Sequence, residues 1–77
     1  MSEQEWLDEF SDNLRAIMRE VGITQRKLSD ISGISTADIS RYINGQQQPS
    51  AKAVVKLSYA LECNTDDLID FGETIED

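Results

Sequence analysis

The chain has 77 residues, with seven Lys and Arg against fifteen Asp and Glu and no His, for a formal net charge of -8. That length makes one domain and excludes a catalytic barrel or a cofactor domain joined to a substrate domain, since domains of roughly 50 to 200 residues are the norm. Hydrophobic residues at 39% are enough for one small core, and the acidic total stands at first sight against nucleic acid, which favours basic partners.

The predicted elements are all helical, and no strand-like alternation occurs. In the first helix, from about Gln4 to Val21, the residues Trp6, Leu7, Phe10, Leu14, Ile17, Met18 and Val21 recur at steps of three and four and so share one face. Gly22 stops it, where a left-handed residue costs little only as glycine. The second helix is short, capped by the Thr24 hydroxyl, with Leu28 inward and Gly33 at its end. The third opens at Ser35, and Ser35-Thr-Ala-Asp38 fits a capping box with Asp in place of the preferred Glu. Ile39, Tyr42 and Ile43 form its inward face and Asn44-Gly45 closes it. After the polar loop Gln46–Pro49, Ser50 starts a fourth helix with Val54, Leu57, Ala60 and Leu61 on one face. Asn64 or Thr65 starts a short fifth, with Leu68, Ile69 and Phe71. The division expected is a compact all-α domain over 1–71 and an acidic, loose tail over 72–77 that has little to bury.

Charge is unevenly placed. Residues 1–14 carry -5, residues 15–56 carry all seven bases and sum to +4, and residues 57–77 carry -7. The acids read most simply as solvated helix faces, whereas the basic middle is suited to an anionic partner. Cys63 is the only cysteine, so no intrachain disulfide can form. With no His, the commonest zinc, haem and nucleophile–base arrangements are missing, and no carboxylate cluster has a spacing that suggests catalysis. Neither enzyme activity nor a cofactor or metal is expected. There is no apolar run of about 18 residues and no signal-peptide pattern, so a cytoplasmic protein without membrane contact is expected.

The informative stretch is Thr24-Gln-Arg-Lys-Leu28, then Gly33-Ile-Ser35, then Ile39-Ser-Arg-Tyr-Ile-Asn-Gly45, with Pro49-Ser50 shortly after. Two short helices meet at a glycine-containing turn, the layout in which the second helix can enter a major groove. Over about residues 10–71 the chain resembles the Cro/C1-type helix-turn-helix family, which includes phage repressors. The resemblance implies a five-helix, lambda-repressor-like fold with the helix-turn-helix at helices 2 and 3. It implies base contacts from Thr36, Ala37, Ser40 and Arg41. Arg41 suits the O6 and N7 acceptors of guanine, a pairing worth roughly 1–3 kcal/mol of discrimination. It implies contacts to the DNA backbone from Gln25, with Thr24, Asn44, Gln46, Ser50 and Lys52 as further candidates. Such contacts fix register and carry little sequence information.

The chain also departs from that family. Met18 and Ile43 stand where an Arg and a Glu are often paired, and are expected to pack together. Glu62 replaces a usual Gly, so that turn is either strained or different. Ile31 stands at an often polar place, so either it is exposed or the helix is rotated. Cys63 reads as a small core residue. Asp38 either caps the third helix or repels the DNA backbone.

The function expected is a sequence-specific DNA-binding transcription regulator, a repressor of prophage or mobile-element type. It would be a homodimer on double-stranded DNA at a pseudo-palindromic operator, with half-sites about 34 Å apart and a dimer surface around Leu68 to Phe71. The alternatives are an antitoxin or restriction-modification controller, or a protein-binding adaptor that docks the acidic surface on a basic partner.

Overall fold

The computed structural model describes residues 2–69. The expected contact of Phe71 and the expected tail over 72–77 lie outside the described residues. Five helices follow one another: α1 (Glu3–Val21), α2 (Gln25–Ser32), α3 (Thr36–Ile43), α4 (Ala51–Ala60) and α5 (Thr65–Leu68). No strand occurs among the described residues.

Local chemistry sets most boundaries. Ser2, Thr24, Ser35 and Ser50 each sit in extended backbone and accept, through the side-chain oxygen, an N–H of the first helical turn. Each cap satisfies a donor that the helix leaves without an internal partner. Gly22 and Gly33 adopt φ of 76° and 77°, and their N–H groups return to the Met18 and Ser29 carbonyls.

One core joins all five helices. Phe10, Leu14, Leu28, Ile39, Leu57 and Leu68 are its fully buried large side chains, and full burial of one such group stabilises by roughly 1.5–3 kcal/mol. Trp6 stacks on Phe10 with centroids 6.3 Å apart, and Phe10 meets the Tyr42 ring edge-on at 5.9 Å. α3 thereby rests on α1, while α2 packs on both α3 and α4.

Several expectations are refined. Val21 ends the apolar series of α1 yet is half exposed, although Met18 before it is buried and Ile23 after it packs against the core. Ile31 is exposed, and its neighbour Ser32 accepts the Ile34 N–H at 3.1 Å. Met18 is buried and Ile43 half-buried against the same core. Cys63 is half-buried against it, and burial, then the nearby Asp67 carboxylate, pushes its thiol pKa up. Leu68 and Ile69 are inside the protomer, so the surface expected there for a dimer is closed at those two positions. The exposed large apolar side chains among the described residues are Val21, Ile31, Val55 and Tyr59.

Glu62 settles its own alternative. Its φ is 55°, its N–H donates to the Tyr59 carbonyl at 3.2 Å, and the next N–H, of Cys63, reaches the Ser58 carbonyl at 2.9 Å. These are the paired bonds that end a helix around a left-handed residue. The turn is thus the ordinary glycine turn, made here by a residue with a Cβ.

Candidate nucleic-acid interface

α3 is held at its end and open at its beginning. At its C-terminal end, the Ser11 hydroxyl on α1 lies 2.6 Å from the Tyr42 carbonyl oxygen, and Arg15 donates from Nη1 to the Ile43 carbonyl at 2.7 Å. Arg15 is also paired with Asp12. The last carbonyls of a helix lack internal partners and carry the negative end of its dipole, so a hydroxyl donor and a cation both suit them. Gly45 completes the end with φ 66°. A Cβ there would stand 3.4 Å from Ser11 Oγ and 3.5 Å from Asp8 Oδ1, so that turn lies close on α1.

At the N-terminal end, Thr36 and Ala37 are exposed. Ser40, a turn further on, is half-buried, and its carbonyl accepts the Asn44 side-chain amide at 2.9 Å. Arg41 is exposed, and its Nη1 lies 3.0 Å from Asp38 Oδ1. The same oxygen accepts from Gln47 Nε2 at 3.4 Å, the outer limit of a hydrogen bond. The capping box expected at Ser35 is therefore half formed. Ser35 Oγ accepts the Asp38 N–H at 3.1 Å, but the Asp38 carboxylate faces Arg41 and Gln47 instead of returning to the Ser35 N–H. The reciprocal arm appears at α5, where Asp67 Oδ2 accepts the Asn64 N–H at 3.0 Å.

The residues expected at the DNA backbone fall on helix starts and on the loop after α3. Thr24 is the cap of α2 and Gln25 its first residue, both exposed. Ser50 caps α4, and Lys52 lies exposed in its first turn. A shallow depression lined by Gly33, Asp38, Tyr42, Ser50, Lys52 and Lys56 brings the start of α4 beside α3. Gln46 lies by the start of α1, with Glu3 and Gln4 near it. There Gln48 Nε2 donates to Glu3 Oε1 at 2.6 Å, so part of the acidic N-terminus adjoins the candidate interface.

Sequence reasoning missed Ser11, Arg15 and the Asp38–Gln47 contact. Arg15 did carry a signal as the first base after an all-acidic stretch. Ser11 carried only its place among apolar neighbours on the buried face of α1. No group of three or more His, Cys, Asp or Glu that could hold a metal occurs among the described residues, and none of their helices is long and apolar enough to cross a membrane.

A short helix docked by its C-terminal end, with its first residues exposed and a capped helix placed before it across a glycine turn, is the helix-turn-helix layout. The helix-turn-helix family profile matches residues 14–68, and the chain belongs to that family. It is a DNA-binding transcription regulator. Among solved structures it is similar to the restriction-modification controller protein C.AhdI from Aeromonas hydrophila, with a TM-score of 0.78 and 27% identity. The match covers 82% of this chain and 96% of that one. No curated protein matches the chain.

Proposed function

We propose that the protein is a sequence-specific regulator that lays α3 in the major groove of operator DNA. Thr36, Ala37, Ser40 and Arg41 face base edges, and Thr24, Gln25, Asn44, Gln46, Ser50 and Lys52 hold the phosphate backbone. One observation carries this reading. Ser11 and Arg15 fix the C-terminal end of α3 to the body through its carbonyls, while Thr36 and Ala37 in its first turn and the Arg41 side chain in its last stand exposed. A single short helix offers few base contacts, so the working form is a homodimer on a pseudo-palindrome. It acts in the cytoplasm and carries out no catalysis.

Among regulatory roles, the likeness to a restriction-modification controller favours control of restriction-modification genes over the prophage-repressor reading. Restriction and methyltransferase genes beside the coding sequence would support this role, and phage genes there would return it to a repressor.

The direct test is selection of binding sites from random duplexes, with wild type and Arg41→Ala. Wild type should enrich a two-fold symmetric motif, and Arg41→Ala should lose preference at one base pair per half-site by about 10-fold or more. No enriched motif at low salt would overturn groove reading and leave the adaptor alternative.

A further inference from the structure

We propose that Asp38 is a specificity-determining residue of this interface, acting as a positioning residue for Arg41. The inference rests on the groove-reading function proposed above.

Asp38 and Arg41 lie one turn apart on α3, with side chains 39% and 50% exposed and joined at 3.0 Å. An unpaired arginine on a DNA-facing helix has two destinations. Base edges give specificity, and phosphates give binding to any sequence. Asp38 biases that choice in two ways. Its Oδ1 engages Nη1 and so restricts a long, flexible side chain, yet the guanidinium has five N–H donors and keeps enough of them for the two guanine acceptors. Its negative charge also lies on the surface that phosphates would approach, and so disfavours the non-specific mode. The Gln47 contact ties this carboxylate to the loop after α3, so the base-reading side chain and a loop beside the backbone contacts share one anchor.

The experiment measures dissociation constants of the full chain, over a range of salt, for three duplexes. These are the selected operator, the operator changed at the base pair that responds to Arg41→Ala, and an unrelated sequence. The variants are Asp38→Asn, which removes the charge and keeps the shape, and Asp38→Ala, which keeps the test open if Asn perturbs the helix. Asp30→Asn makes the same charge change on α2. Circular dichroism confirms folding; the Asp38 N–H that bonds Ser35 remains in both variants.

With Asp38→Asn, binding to unrelated DNA should tighten severalfold, and discrimination at the Arg41-dependent base pair should fall by about 10-fold. Asp30→Asn should leave that discrimination unchanged. In an Arg41→Ala background, Asp38→Asn should have no effect at that base pair. Equal discrimination by wild type and both Asp38 variants would overturn the inference and leave groove reading intact. An equal loss with Asp30→Asn, or a loss that persists without Arg41, would also overturn it. A wild type with no sequence preference would instead overturn the underlying function.

Discussion

The Ser11 hydroxyl reaches the Tyr42 carbonyl at 2.6 Å across 31 residues of sequence, and this bond joins the longest helix to the end of the recognition helix. Ser11 is buried, with its oxygen also 3.0 Å from the Leu7 carbonyl. A hydroxyl has one proton, and the shorter contact identifies Tyr42 as the acceptor. The Gly45 N–H donates to the same carbonyl at 3.3 Å, so removing the serine hydroxyl does not leave that oxygen without a donor. Ser11→Ala should therefore destabilise by about 1 kcal/mol, the net worth of an ordinary hydrogen bond, and not by the larger cost of an orphaned group. Urea unfolding checks this; a loss above about 3 kcal/mol would mean that the Gly45 N–H does not satisfy the Tyr42 carbonyl once the hydroxyl is gone.

Ile43 stands in that same final turn, half-buried against a core that includes Met18. Glutamate there would place a charge against apolar atoms and at the negative end of the helix dipole. Ile43→Glu should cost about 2 kcal/mol or more. Adding Met18→Arg should recover part of the loss, because it supplies the missing partner charge. An unchanged melting temperature for Ile43→Glu would place residue 43 in solvent.

Glu62 holds a left-handed φ of 55° within bonds that a glycine makes without strain. A non-glycine residue in that region costs roughly 1–2 kcal/mol, against which glycine loses about 0.5–1 kcal/mol more backbone entropy on folding. Glu62→Gly should thus stabilise by up to about 1 kcal/mol and raise the melting temperature by roughly 4–8 °C. Glu62→Ala keeps the Cβ and should give no such gain, which separates strain from charge.

These cases show what the sequence could disclose. The caps Thr24, Ser35 and Ser50 and the stops Gly22 and Gly33 were legible because each acts on its own first or last turn. Leu28, Ile39 and Leu57 were legible through helical spacing. Ser11 and Arg15 were not, since a side chain that bonds a distant backbone carbonyl leaves no partner residue to find. Val21 continued the apolar period of α1, but periodicity cannot show how fully the neighbouring elements cover each position. Asp38 matched a local capping pattern and lost it to Arg41, a charged partner three residues on. Such competition is decided by side-chain geometry.

The overall charge of -8 bears on the interface at a specific place. Glu3 accepts from Gln48 Nε2 at 2.6 Å, which brings an acid of the N-terminal segment to the loop beside Gln46 and Gln47. Acids beyond a Debye length of about 8–10 Å from phosphate are largely screened; an acid in contact with the loop after α3 is placed to act within that range. Glu3→Gln keeps a hydrogen-bonding side chain and removes the charge. It should tighten binding to operator and unrelated DNA by similar factors at low salt, with the gain shrinking as salt rises. Lys52→Ala should act in the opposite direction, with equal weakening across sequences and a log–log salt slope shallower by about one. Titrations at several salt concentrations on both duplexes distinguish these effects from base reading, because neither variant should alter the ratio between operator and unrelated DNA. A change in that ratio with Glu3→Gln would mean that the loop contact also sets the position of α3.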